Sequence, residues 1–254
     1  MTGSPLWLVA AGVGGGLIGS MAGLASLVSY PALLAAGLSP LSANVTNTVA
    51  LFGVTGGTVL GSQRELHGQR SRILPLCTLS VCGGAAGAAL LLLTPAGAFE
   101  AVVPWLVGLG AVLLSVQDRI PRSSSHRRPG ASQSTSPGVR LLWALAIGLV
   151  GLYAGYFGAG AGIIALAVLG FQRDEGLAVT NAVKNVVTGT ANAVAAICYA
   201  FFAPVDWSAA ACLGVGAVLG GLLGPRVVRV APERPLRWIV AVAGLALAVH
   251  LATR

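Results

Sequence analysis

Asn181, Lys184, Asn185, Thr188 and Asn192 interrupt an otherwise apolar stretch, residues 177–202. Their spacing is i, i+3, i+4, i+7 and i+11, which on a helix makes one polar stripe along a greasy cylinder. Lys184 is the only lysine in the chain. Carrying its charge into hydrocarbon costs about 3 kcal/mol on insertion scales. Snorkelling, or pairing with Asp174 or Glu175, would be the ordinary explanation. Those acids stand about two to three helical turns away, which favours a functional role instead. An ammonium flanked by amides and a hydroxyl, with no acid in the same stripe, suits an anion with several oxygens, such as sulfite or a sulfonate.

The first half of the chain carries a partial copy. Val45-Thr46-Asn47 matches Val179-Thr180-Asn181, and Asn44, Asn47, Thr48 and Thr55 form a weaker stripe. Ala50 and Leu51 stand where Lys184 and Asn185 stand, so the two stripes match in shape and differ in charge. Gly16, Gly19 and Gly23 match Gly148, Gly151 and Gly155. Repeated order and segment length predict an internal duplication.

Two further stretches could contribute. The run from Tyr153 through Tyr156, Gly158, Gly160 and Gly162 has the composition of a broken helix, as does the run through Ser26, Ser29, Tyr30 and Pro31. Broken membrane helices are tolerated where they face protein or a wet cavity, and their N-termini attract anions. Close packing of small residues explains the same glycines. The site expected from these patterns takes its charge from Lys184 and amide donors from Asn47, Asn181 and Asn185. Hydroxyls would come from Thr188, Ser29 and Tyr156, and backbone from Gly158 and Gly160.

The elements that must hold these groups are membrane spans. Of the 254 residues 56% are hydrophobic and 9% charged, with a mean hydropathy of +0.85. A soluble domain carries roughly 25% charged residues and could not cover itself with so few. Apolar runs of about 20 residues recur throughout, and period-two alternation is lacking, so a helical bundle is expected and a barrel is not. The expected segments are 6–38, 43–62, 73–93, 99–116, 141–171, 177–202, 207–223 and 236–251. The N-terminus lacks the basic region of a signal peptide, so residue 6 onward is expected to be a retained span.

Residues 118–140, rich in Ser, Arg and Pro, form a linker between a first repeat (1–117) and a second (141–254). The net charge of +8 lies mostly in short loops, which points to topology and the lipid bilayer, not to nucleic acid. Arginines put loop 63–72, the linker and the loop after segment seven on the cytoplasmic side; loop 203–206 lacks them and should lie outside. Equivalent loops thus fall on opposite sides, which implies inverted repeats. Segments one and five have 33 and 31 residues. Inversion then requires each to be a pair of shortened helices meeting at a break, as a re-entrant hairpin or two tight spans.

Cys77, Cys82, Cys198 and Cys212 lie in apolar runs without a CxxC pair and read as buried hydrophobes. No HExxH, P-loop or Ser/His/Asp set is present, so enzyme, metal and cofactor roles lack support.

Together the patterns resemble the sulfite exporter TauE/SafE family of membrane transporters. The resemblance rests on the two Gly-rich openings, on Thr180-Asn181-Ala182-Val183-Lys184-Asn185, and on Pro204-Val205-Asp206-Trp207 before the next span. The Arg-rich turn after Gly220-Gly221-Leu222-Leu223-Gly224 completes it. Segment one departs from the family's Gly-Gly-Gly run with Leu24-Ala25-Ser26, and segment five has alternating Gly158, Gly160 and Gly162. The resemblance implies a multi-pass inner-membrane permease for sulfite, sulfonates or related organosulfur anions. A passive anion channel and a non-transporting scaffold are the alternatives. The sequence leaves open a coupling proton or sodium ion, the direction of transport and the oligomeric state.

Overall fold

In the computed structural model, the described residues are 5–22, 24–116, 137–170, 177–227, 242, 244–249 and 251. They form an all-α structure. In chain order the helices are α1 (Pro5–Ala22), α2 (Ser26–Ala35), α3 (Pro40–Gly61), α4 (Gln63–Leu66) and α5 (Arg70–Leu93). There follow α6 (Ala96–Val116), α7 (Pro137–Tyr156), α8 (Ala161–Gly170), α9 (Leu177–Phe202) and α10 (Trp207–Val227). Most of the expected linker lies outside the described residues; its last four residues open α7. Half of segment eight, 236–241, 243 and 250, lies outside them as well.

Among the described residues four helices, α5, α6, α7 and α9, contain stretches long and apolar enough to cross a membrane. Leu93, Trp105, Leu149, Phe201 and Leu222 are exposed. A wide exposed apolar face of this kind is unfavourable in water and matches lipid. The interior is built mainly of Ala, Leu and Val, with polar side chains confined to a few helices.

Both long opening segments are broken, and unequally. Segment one divides into α1, 18 residues, and α2, 10 residues; segment five divides into α7, 20 residues, and α8, 10 residues. At 1.5 Å per residue each is one helix of roughly 27–30 Å followed by a half-length helix of about 15 Å. Each segment is thus two helices meeting at a break, and the two are unequal: a longer first helix and a half-length second. In the second break Gly158 and Gly160 have φ of 79° and 81°. Only glycine adopts these left-handed angles without strain, so their alternating placement is what stops α7 and restarts the chain as α8.

Helix pairing interchanges the two halves of the chain. α1 packs along α10, and α7 packs along α5; α10 also packs on α3, and α5 on α9. α3 and α9 pack on each other. Exchanging α1 with α7, α3 with α9 and α5 with α10 maps this set of pairs onto itself. Glycines permit the two longest contacts. A Cβ on Gly12 or Gly16 would strike the backbone of α10 at Leu213 or Ala217, and one on Gly83 or Gly87 would strike α7 at Gly148 or Leu152. The glycine register expected from sequence needs adjustment. Gly16 lies ten residues before α2, and Gly151 lies ten before α8. Gly16 therefore corresponds to Gly151 and not to Gly148, whose added Cβ would meet nothing within 4 Å.

Candidate functional site

α9 crosses α3 where Gly189 meets Thr55; a Cβ on Gly189 would collide with the threonine methyl. Each lies nine residues beyond the threonine of its Val-Thr-Asn triplet, so the crossing joins equivalent positions of the two halves. Beside it is a cavity of about 90 Å³. A water needs only about 10–15 Å³ on this measure, so the space holds several waters or one small oxyanion.

Four elements build the wall. α9 supplies Lys184, Asn185, Thr188, Gly189 and Asn192, and α3 supplies Leu51 and Thr55. The second break brings Gly158, Ala161 and Gly162; the first brings Gly19, Ala25 and Ser26. The first turns of both half-length helices, α2 and α8, thus border the same space. Backbone N–H groups in a first helical turn have no intrahelical acceptor and carry partial positive charge. Ala25, at the N-cap of α2, makes no side-chain hydrogen bond to that turn.

Lys184 is 3% exposed, and its side chain has no hydrogen-bond or ion-pair partner among the described residues. The same holds for the side chains of Asn185 and Asn192. Thr188 donates to the Lys184 carbonyl at 2.9 Å, leaving its oxygen lone pairs available. Asp174 and Glu175, the acids weighed as partners for Lys184, lie outside the described residues. Among the described residues no three His, Cys, Asp or Glu side chains gather in a way that would hold a metal ion.

Of the residues expected from sequence, Lys184, Asn185, Thr188 and Gly158 line the cavity together. The others do not line it. Ser29 and Asn47 are buried, and the Ser29 hydroxyl donates to Asn47 Oδ1 at 2.5 Å. The Tyr156 ring packs against Phe99, centroids 5.9 Å apart. A Cβ on Gly160 would lie 3.3 Å from Gly110 of α6, so this glycine serves helix packing as well as the turn. Asn181, one turn before Lys184, is half-buried and does not line the cavity. Asn192, Ser26, Thr55 and Gly162 line it without having been among the expected site residues. Asn192 was legible as the last member of the stripe; Ser26 carried no signal beyond its place at a break.

Hydrogen bonds to backbone fix the second break. Tyr153 donates to the Ala159 carbonyl at 2.6 Å, Tyr199 to the Gly155 carbonyl, and Asn44 to the Tyr156 carbonyl at 2.9 Å. These carbonyls come from the end of α7 and the loop after it, where helical partners run out. A rigid frame therefore surrounds a cavity whose α9 wall carries unengaged donors.

The sequence model of the sulfite exporter TauE/SafE family matches residues 8–251. The chain belongs to the TauE/SafE family. It is 28% identical over 239 residues to "Probable membrane transporter protein ORF9" of Sinorhizobium sp, covering 93% of this chain and 87% of that protein. It is 27% identical over 242 residues to "Probable membrane transporter protein YfcA" of Escherichia coli K12, covering 93% and 85%. No solved structure matches the chain. This TauE/SafE protein is accordingly a membrane transporter, and the match covers both halves and both broken segments.

Proposed function

We propose that this TauE/SafE protein is a cell-membrane permease, in the inner membrane, moving a small sulfur-containing oxyanion such as sulfite or a sulfonate by alternating access. The cavity beside the α3–α9 crossing is its binding site. The observation that carries this reading is Lys184: a buried ammonium without a protein partner among the described residues, lining a space of oxyanion size. Asn185 and Asn192 add donors from the same face, and the starts of α2 and α8 add partial positive charge. The family's name supports sulfite or its organic derivatives as the anion.

Alternating access follows from the repeat. The interchange of helix pairs between halves, with arginines in only one loop of each equivalent pair, supports inverted repeats that rock about the α3–α9 crossing. Purified protein in liposomes tests this directly. Labelled sulfite or methanesulfonate should be taken up saturably and should exchange against the same anion inside. Gradient-independent flux with high unitary conductance would mark a channel instead. Absence of any anion flux, with a stable co-purifying partner, would mark a scaffold.

A further inference from the structure

Among the described residues, the cavity lining offers a positive group and no fixed negative one. Its lining contains Lys184 and no other titratable side chain. The elements packed on α9 or bordering the cavity offer few groups that could answer the charge. α1, α3 and α8 carry no charged residue. α2 carries Tyr30, which donates to the Pro40 carbonyl. α7 carries Arg140, Tyr153 and Tyr156, and α5 carries Arg70, Arg72, Cys77 and Cys82. α9 itself adds Cys198 and Tyr199, the latter bonded to Gly155. The one carboxylate on any of these helices is Glu65 of the short α4, a half-buried residue with no bond to Lys184.

An unloaded permease of this kind faces an electrostatic problem. When the cavity closes around nothing, an ammonium would be carried through a dry interior with no counter-charge. Such a group costs several kcal/mol even after relaxation. A lysine can avoid this by giving up its proton, which an arginine cannot.

Resting on the anion-permease reading, we propose that Lys184 is the proton carrier of the transport cycle: it crosses as an ammonium with the anion bound and returns as a neutral amine. On the loading side the amine takes a proton from water as the anion enters beside it. On the unloading side the anion leaves, the ammonium gives its proton to water, and the uncharged amine re-orients. One proton and one monovalent anion move together, and no net charge crosses.

Proteoliposomes with labelled methanesulfonate decide the matter, because this anion carries no proton of its own at any working pH. With membrane potential clamped at zero, a one-unit pH gradient, acid on the uptake side, should drive accumulation approaching tenfold. A potassium diffusion potential alone should drive none. Lys184→Arg should still exchange anion for anion but lose net uptake, since a guanidinium returns charged. An Asp174→Asn, Glu175→Gln double variant should keep the pH-driven accumulation. Exchange that persists while net uptake ignores the pH gradient would overturn the proton-carrier role and leave the anion-permease reading standing. Loss of coupling in the acid variant would move the role from Lys184 to those acids. No exchange of either methanesulfonate or sulfite would remove both readings.

Discussion

The Asn44 side-chain amide donates to the Tyr156 carbonyl at 2.9 Å, linking the second segment of one half to the break of the other. Asn44 is 1% exposed, and its Oδ1 has no hydrogen-bond partner among the described residues. The amide is thus held by its donor alone. Tyr156 ends α7, where a helix leaves carbonyls without partners, so Asn44 supplies a bond the backbone cannot make.

Replacing that donor should loosen the break. Asn44→Leu removes it and leaves a buried carbonyl unpaired, at a cost of about 1–3 kcal/mol. Asn44→Asp should be at least as damaging, because an ionised carboxylate has no hydrogen to offer the carbonyl. Thermal unfolding of the detergent-purified protein measures both. A melting temperature unchanged by either variant would show that the bond contributes nothing to stability.

Lys184→Ala should abolish anion uptake while the protein still folds. Losing one partner of a desolvated charge pair costs about 2–5 kcal/mol, or at least 30-fold in affinity. Methanesulfonate or sulfite should stabilise the wild type against heat and fail to stabilise the variant. Arg127→Ala, in the charged linker, should leave uptake unaltered. Normal uptake by a well-folded Lys184→Ala protein would refute the site.

Glycines along α10 and α7 should separate into two classes. A Cβ on Gly216 would collide with the Val9 carbonyl of α1, so Gly216→Ala forces two helices apart at about 1–3 kcal/mol. Gly148→Ala adds its methyl to open space and should be neutral, or stabilising by up to about 1 kcal/mol, since alanine is the better helix former. Melting temperatures of the two variants should move in different directions or, at the least, by different amounts.

That contrast marks how far the sequence could be read. Span positions came from hydropathy, because length and apolarity alone decide what crosses a bilayer. α9 has the bounds predicted for it, and its stripe supplies one wall of the cavity through Lys184, Asn185, Thr188 and Asn192. Of the opposite wall only Gly158 was legible as a site residue. Ser26, Thr55 and Gly162 reach the cavity through the packing of α2, α3 and α8, and their chemical types are unremarkable. Asn47 and Ser29 have the types of ligand residues, yet the Ser29 hydroxyl is given to Asn47 Oδ1. Sequence reports which groups can bond and is silent on which partner takes them first. Glycine spacing misled for a related reason: Gly16 and Gly148 look alike as letters, while contact with a neighbouring helix depends on distance from the break.

Asp206 offers a pH-dependent test of the loop between α9 and α10. Its Oδ1 accepts from the Ala209 N–H at 3.0 Å and the Ser208 hydroxyl at 2.7 Å, which caps the first turn of α10. The Asp206 N–H in turn donates to Thr46 of α3 at 3.0 Å, and Ser42 donates to the Pro204 carbonyl at 2.8 Å. The cap therefore also anchors the loop to the other half of the chain. The Ala209 N–H and the Ser208 hydroxyl hold the Asp206 carboxyl below the usual aspartate range. A depressed folded-state value means that the charged carboxylate stabilises the fold above the unfolded value, near 3.9. That contribution fades as pH falls through the folded value. Asp206→Ala should therefore lower stability by about 1 kcal/mol at pH 7, and Asp206→Asn, which can still cap, by less. The difference between wild type and Asp206→Ala should shrink on acidification into the range where the carboxyl protonates. Melting curves of the three proteins across pH 3 to 7 measure this; a gap that stays constant over the whole range would mean that the ionised cap does not hold the loop.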